Sequence, residues 1–210
     1  MAHGIWGRVA RVSMALFAAL ALLVATGWIL ATLAPANWIE ADFLRADPQS
    51  ASAARDLEQN LAAAIARVRP KDSAWAIRIQ ENDINAWIVT RLPLWLEHDP
   101  SLAWPMDGVE PQLHFSAGSA TLSVAVAGRV YSGTFTAVVS RGAIQLTPGW
   151  GAIGRLPIPD GAWIATRYLR GAAATTLSVG SIFKLGDGRQ VEIRQVDFVE
   201  GAIEIEFITR

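Results

Sequence analysis

The sequence predicts an α+β fold in which an N-terminal transmembrane helix is followed by a curved antiparallel β-sheet packed against two or three helices. The first observation behind this prediction is the stretch from Val12 to Ile39, which contains no acidic, basic or histidine residue. It is long enough to cross a bilayer as a helix, for which about 20 residues suffice. The second observation is a series of short segments, most of them after residue 111, in which apolar and polar residues alternate as in half-buried strands.

The apolar stretch is interpreted as an uncleaved anchor. The alternative is a cleaved signal peptide, but the apolar core of a signal peptide usually runs only about 7–15 residues. Arg8 and Arg11 precede the stretch, whereas Glu40 and Asp42 follow it. Because basic residues are retained on the cytoplasmic side, the N-terminus is expected in the cytoplasm and the C-terminal domain in the periplasm or another extracytoplasmic space.

The chain is therefore divided into a cytoplasmic N-terminus at residues 1–11, a transmembrane anchor at 12–39 and an extracytoplasmic α+β domain at 40–210. The lipid bilayer is the first predicted partner. Tryptophan rings favour the headgroup layer, although Trp28 has a second interpretation as a packing residue against a partner helix. Four residues are expected at the membrane interfaces: Arg8, Arg11, Trp28 and Trp38.

Helices are predicted at three places after the anchor. Asp47 followed by Pro48 is typical of an N-cap and a first helical position, and the apolar stripe after them predicts a helix to about Arg69. A second, short helix is predicted to end at Pro93, because proline lacks the backbone donor that a continuing helix needs. A third is predicted over residues 161–174.

The strands are predicted from alternation. Residues 73–80 alternate cleanly and form one strand. Residues 112–146 hold three short strands and the start of a fourth, joined by tight turns, which is typical of an antiparallel meander. Residues 190–208 form a terminal hairpin. The proline-rich segment 154–161 is expected to cross the fold rather than extend a central strand.

Charge and composition argue against several function classes. The net charge is −1 and cysteine is absent. The chain therefore has no basic field for nucleic acid and no thiolate for metal binding or nucleophilic attack. No phosphate-binding loop, nucleophile elbow or zinc-protease motif occurs. We therefore expect that the protein is not an enzyme and that it binds no cofactor.

Two weak metal-like patterns have simpler interpretations. His98 and His114 are far apart in the chain, and the sequence alone does not bring them together. The acidic segment 81–85 lacks the glycine and the distal glutamate of a calcium loop. Capping of the short helix by Asn82 or Asp83 is therefore the preferred interpretation, and no metal site is predicted.

Two segments resemble the small membrane-anchored bacterial members of the tubular lipid-binding (TULIP-like) superfamily. One is Gln-Glu-Asn-Asp-Ile-Asn-Ala-Trp at residues 80–87, directly after a strand. The other is Gly-Arg-Leu-Pro-Ile-Pro at residues 154–159, in a chain that ends in a hairpin. The resemblance implies a long curved sheet around a helix, with an apolar groove for lipid. It also implies a lipid-binding module held at a membrane, although this chain is shorter than the large eukaryotic members.

Two functions follow as hypotheses. The first is a lipid- or hydrophobic-ligand-binding module without catalysis, with a groove between the sheet and its helices. Seven residues are predicted to line that groove: Trp75, Trp87, Leu122, Val124, Phe135, Trp163 and Ile205. The alternative is a structural or accessory subunit of a membrane protein complex, because the alanine-rich anchor permits close helix approach and the apolar segment 94–104 requires a cover.

Overall fold

The computed structural model describes residues 3–98, 111–140, 143–159, 161, 182–185 and 188–210, and it has the predicted α+β class. The first part of the chain is helical, with α1 at His3–Thr32, α2 at Ala41–Ala46 and α3 at Pro48–Ala66. Asp47 is the predicted N-cap of α3, and its carboxylate accepts two backbone hydrogen bonds from the first turn at 3.1 Å. The helix ends before the predicted Arg69, because Arg67 adopts an extended backbone.

The other helices among the described residues are α4 (Glu81–Thr90) and α5 (Leu92–His98). The strands are β1 (Ala74–Gln80), β2 (Pro111–Ser116), β3 (Ser119–Val126), β4 (Arg129–Ser140), β5 (Ala143–Ile153), β6 (Leu156–Ile158), β7 (Ile182–Lys184), β8 (Gln190–Val199) and β9 (Ala202–Thr209). The predicted helix over residues 161–174 lies outside the described residues, except for residue 161, which is in a turn.

The described strands form two antiparallel sheets, not the single curved sheet that the sequence predicts. Sheet A has the order β1-β9-β8-β7, and sheet B has the order β2-β3-β4-β5-β6. The predicted strand β1 pairs with β9, so that Ile77 lies opposite Ile205. The proline-rich segment does not cross the fold as predicted. It turns back on β5 and forms β6 at the edge of sheet B among the described strands, where the missing backbone donor of Pro157 is tolerated.

The two sheets meet at their hairpin turns. The backbone N–H of Gly118, in the β2–β3 turn, donates to the carbonyl of Phe198 at 2.9 Å, and that of Gly201, in the β8–β9 turn, donates to Phe115 at 3.0 Å. The rings of Phe115 and Phe198 stack with centroids 5.8 Å apart. Phe115 is only 2% exposed, as is Val124. Apolar packing between the sheets therefore coincides with main-chain bonds from the turn of each sheet to a strand of the other.

Helix α1 contains a candidate membrane span, Val12–Thr32, with a mean hydropathy of 2.3; it is the one such span among the described residues. The predicted anchor extends to Ile39, but the helix ends at Thr32. Ala34 precedes Pro35, and a residue before proline is disfavoured in helical conformation. The end of α1 is therefore set by local backbone chemistry rather than by the end of the uncharged stretch.

The C-terminal end of α1 contacts the β5–β6 turn of sheet B. The backbone N–H of Arg155 donates to Leu30 at 2.8 Å, and Nε of the same arginine donates to the carbonyl of Ala34 at 2.8 Å. Gly154 has a φ of +57°, and a Cβ at this position would lie 2.5 Å from the carbonyl oxygen of Leu33. Glycine is required here both by conformation and by the close approach of α1.

Candidate ligand-binding groove

An apolar groove of about 660 Å³ lies between α3, α4 and α5 and includes the end of β1. Nine of its ten lining residues are apolar or aromatic, and the tenth is Glu58. The lining residues are Leu57, Glu58, Leu61, Ala62, Ile79, Ile84, Trp87, Ile88, Leu92 and Trp95.

Helical periodicity positions two walls of the groove. Leu57 and Leu61 are four residues apart on α3, and Ile84 and Ile88 are four residues apart on α4. Residues at this spacing share one helix face. Both stripes are visible in the sequence, and the structure places them at the same groove.

The third wall is α5, which begins directly after α4. Pro93 has no backbone N–H, so one continuous helix through this position is disfavoured. The chain instead ends α4 at Thr90 and starts α5 at Leu92, with the proline in the first turn, where its missing donor is tolerated. Helix α5 brings Trp95 to the groove.

Four residues, named here the Glu58 cluster, connect α3 to α4 and α5. Oε2 of Glu58 accepts from Nη2 of Arg91 at 2.9 Å, and Nε of the same arginine lies 3.2 Å from each carboxylate oxygen. Oε1 accepts from the indole Nε1 of Trp87 at 2.9 Å and of Trp95 at 3.0 Å. A carboxylate has about four lone-pair sites, so these donors occupy its hydrogen-bonding capacity.

The Glu58 cluster holds an ion pair. The pKa of Glu58 is lowered from its ordinary 4.5, chiefly by the hydrogen bond from Arg91; partial burial opposes this shift, and the two indoles add to it. The same pair raises the pKa of Arg91. Both groups are therefore ionised at neutral pH, and the negative charge that lines the groove is compensated within the cluster.

A second polar cluster fixes the edge of sheet B to α4. Glu81 accepts from the backbone N–H of Phe115 at 2.7 Å and lies 2.9 Å from Nδ1 of His114. Asn85, one turn later, donates to the carbonyl of Leu113 at 2.7 Å and accepts from its N–H at 2.8 Å. Residues 80–87, one of the two segments that resemble the TULIP-like superfamily, therefore provide hydrogen-bond partners for the edge strand β2.

The predicted capping of α4 is wrong. The helix begins at Glu81, so Asn82 and Asp83 lie inside its first turn, and Gln80 occupies the N-cap without a side-chain hydrogen bond.

Within the described ranges, no group of three or more His, Cys, Asp or Glu side chains is placed to hold a metal ion.

Of the seven residues predicted to line a groove, Trp87 lies in the groove described here. Trp75 is on sheet A, where its ring stacks on Phe207 at 4.5 Å between centroids. The guanidinium of Arg69 lies 3.8 Å from the Trp75 ring centroid. Ile205 is on the neighbouring strand β9 and is half-buried.

The other predicted lining residues belong to sheet B or are not described. Val124 and Phe135 are 2% and 6% exposed, so they are core residues rather than groove residues. Leu122 is half-buried on β3. Trp163 lies outside the described residues. The predicted set is thus distributed over both sheets, because alternation identifies an inward face without identifying the cavity that this face meets.

Of the predicted interface residues, Trp28 is 63% exposed on α1, and the guanidinium of Arg129 lies 4.8 Å from its ring centroid. Trp38 is half-buried beyond the end of the helix. Arg8 and Arg11 are part of α1, and their side chains lie outside the described part.

Of the ten lining residues only Trp87 was predicted, and sequence reasoning also missed the Glu58 cluster, in which Arg91 and Trp95 bind Glu58. A signal was present, since Trp87, Arg91 and Trp95 recur every four residues. The interpretation of Pro93 as a helix end placed Trp95 in a loop and interrupted this stripe.

No protein-family model, curated protein or solved structure matches the chain. The resemblance to the TULIP-like superfamily therefore stays a prediction, and the function is argued from the chemistry of the groove and of α1.

Proposed function

We propose that this protein is a single-pass membrane protein whose extracytoplasmic domain binds the acyl chain of a lipid in the α3–α4–α5 groove without catalysis. The observation that carries the proposal is the groove. Its volume of about 660 Å³ falls within the range of roughly 300–1,000 Å³ that is typical of small-molecule sites. Its walls are apolar, and its carboxylate is already bound by four side-chain N–H groups from three residues.

The walls favour an uncharged chain as the bound group. Each methylene removed from water contributes about 0.8 kcal/mol, whereas an unpaired polar group placed against these walls would lose its hydration without compensation. Trp95 is 52% exposed while its N–H is bound to Glu58. The face of its ring remains an apolar surface at the rim. We expect the acyl chain to enter the groove and the headgroup to stay outside.

The composition of the anchor supports the membrane location and the orientation. Val12–Thr32 is long and apolar enough to cross a bilayer. Arg8 and Arg11 precede it and the acidic Glu40 and Asp42 follow it, the asymmetry expected for a cytoplasmic N-terminus. The same membrane would supply the lipid.

Native mass spectrometry of the full-length protein in mild detergent tests the proposal. We expect a retained mass that matches a phospholipid or fatty acid. In the Ala62→Trp variant an indole fills the groove, so this mass should be lost. Ala63→Trp is the matched control, because Ala63 is the next residue of α3, is exposed and does not line the groove.

Two results would count against the groove. Lipid retained equally by both tryptophan variants would place it elsewhere, for example around α1. Lipid lost from both would show that a bulky residue on α3 disturbs the domain itself, and circular dichroism of the two variants would reveal this.

One observation favours an accessory subunit of a membrane complex as a second candidate. Helix α1 has a shallow apolar concavity of about 580 Å³ on one side. Ala21 and Ala25 lie there four residues apart, a spacing that permits close helix approach. Cross-linking in intact membranes should then capture a partner. Ala21→Leu should abolish the capture and Ala19→Leu, outside the concavity, should not; recovery of the wild-type protein alone would contradict this candidate.

A further inference from the structure

We infer that the end of sheet B that contacts α1 lies in the headgroup layer of the membrane, where Arg129 and Arg155 bind lipid phosphates. This inference rests on α1 crossing a membrane, as proposed above, and not on the ligand groove. It assigns a second lipid-contacting surface, formed by the β3–β4 and β5–β6 turns and directed at the bilayer rather than at a single bound chain.

The length of α1 gives the depth of each residue. A helix rises about 1.5 Å per residue, so Trp28 lies about 25 Å along α1 from Arg11, the last basic residue before the candidate span. The hydrocarbon core is roughly 30 Å thick. If Arg11 lies at one boundary, Trp28 lies within about one helical turn of the other, which is the depth that tryptophan favours.

The position of Arg129 leads to the same depth independently. Its guanidinium lies 4.8 Å from the ring centroid of Trp28, within the range of a cation–π contact. A charged arginine inside the hydrocarbon is unfavourable by about 3 kcal/mol or more. Trp28 must therefore lie at the boundary, and Arg129, which begins strand β4, brings one end of sheet B to that boundary.

Arg155 is a second contact at the same end of the sheet. Its backbone and its Nε donate to the carbonyls of Leu30 and Ala34, within two turns of Trp28. Its side chain is exposed, and a guanidinium has five N–H donors, of which Nε provides one. Arginine binds phosphate oxygens through paired N–H donors. Two turns of sheet B thus carry arginines at the level where phosphates lie.

The chain that leaves α1 is held at this end of the sheet as well. The backbone N–H of Ile39 donates to Oε1 of Gln112 on β2 at 3.1 Å, and the Gln112 amide donates to the Ile39 carbonyl. Leu33 and Ile39 are 42% and 38% exposed, and exposed apolar side chains beside a membrane span suit the interface better than water. Two arginines and two apolar residues thus lie next to the end of the span.

The test uses single cysteines, since the chain has none. Ala125→Cys lies at the anchor end of β3, and Ala117→Cys lies in the turn at its other end; both alanines are exposed. Each variant of the full-length protein is labelled with an environment-sensitive fluorophore. It is then reconstituted into vesicles of phosphatidylcholine and phosphatidylglycerol that carry a headgroup nitroxide. We expect a blue shift and loss of emission at position 125 and neither at position 117.

The arginines are tested in the same vesicles. Arg129→Gln and Arg155→Gln should each weaken the quenching at position 125, and most clearly when phosphatidylglycerol is present. Arg78→Gln is the matched control, because Arg78 is an exposed arginine on sheet A, paired with Glu204, and it should leave the quenching unchanged.

Each alternative result has a definite meaning. No quenching at position 125, with α1 resistant to alkaline carbonate extraction, would show that the domain stands clear of the bilayer and would overturn the inference. Equal quenching at both positions would show that the domain lies flat, which also overturns it. Release by carbonate would instead refute the anchor on which the inference rests, and the groove would be unaffected by any of these results.

Discussion

At the scale of single residues, Asn85 attaches strand β2 to helix α4. Its side-chain amide makes both hydrogen bonds to Leu113 that a neighbouring strand would make, and the residue is only 7% exposed. Asn85→Ala leaves a backbone donor and a backbone acceptor unpaired, at about 1–3 kcal/mol each. We expect the free energy of unfolding to fall by about 2–6 kcal/mol, measured by urea denaturation of the full-length protein in detergent.

The control for this prediction lies on the same helix. Asn82 is exposed, so Asn82→Ala should change the free energy of unfolding by no more than about 0.5 kcal/mol. Equal losses in the two variants would mean that the amide–backbone pair contributes no more than a surface asparagine does.

The Glu58 cluster predicts a pH dependence of stability. Since the pKa of Glu58 is lowered in the folded protein, chiefly by Arg91, its ionised form stabilises the fold. This contribution is complete above the ordinary pKa of 4.5 and is lost as the pH falls through the lowered folded value. Glu58→Gln should therefore be less stable than the wild type at pH 7, and the difference should shrink below about pH 4.5.

Urea midpoints of both proteins between neutral and acidic pH provide the measurement. Asp83 acts in the opposite direction, because burial, followed by repulsion from Asp56, raises its pKa. This contribution is common to the two proteins and cancels in the comparison. A difference that stays constant across the pH range would assign the effect to packing of the indoles rather than to the charge of Glu58.

At the scale of elements, the sequence is most informative where a single local signal determines where a helix begins or a hairpin turns. Asp47 and the following proline fix the start of α3, and Glu200–Gly201 fixes the hairpin between β8 and β9. Where two local signals compete, the outcome is harder to predict. Pro93 ends one helix and also suits the first turn of the next, so α5 and its Trp95 could not be placed from the proline alone.

The contact between α1 and the β5–β6 turn is the element-level feature that a mutation tests best. Gly154→Ala places a Cβ within 2.8 Å of the carbonyl oxygens of Leu30, Ala31 and Leu33. These are backbone atoms that cannot rotate away, so we expect α1 to separate from sheet B. Spin labels are placed on Ser13→Cys, near the N-terminal end of α1, and on Ala117→Cys, in the β2–β3 turn of sheet B. The distribution of distances between the two labels should broaden.

Gly118→Ala is the matched control for this separation. Gly118 has a φ of +79° and nothing lies within 4 Å of a Cβ at that position, so the variant introduces the same backbone strain without the clash. The distance distribution should stay narrow. Broadening in both variants would attribute the effect to strain of a left-handed residue and not to the contact with α1.

At the scale of the whole molecule, two sheets arise where the alternation pattern suggests one. Alternation shows which side chains share a face, but the partner of a strand depends on contacts between distant residues. Strand β1 pairs with β9, which lies far away in the sequence, as the pairing of Ala74 with Ile208 shows. Nothing within residues 74–80 encodes β9 as the partner strand. For the same reason Glu58 could not be matched with Arg91, although each lies on a helix that the sequence predicts.

The two sheets are expected to unfold as one cooperative unit, because main-chain bonds and a ring stack join them at the same place. Phe198 is half-buried, so Phe198→Ala should destabilise by about 2 kcal/mol, less than the roughly 3–5 kcal/mol for a fully buried phenylalanine. Amide hydrogen exchange should then show an equal loss of protection in β9 of sheet A and in β3 of sheet B. Phe43→Ala, at a residue 68% exposed, should alter neither. Loss of protection confined to sheet A would show that the sheets fold independently, and the stack would then be a contact between two units instead of part of one core.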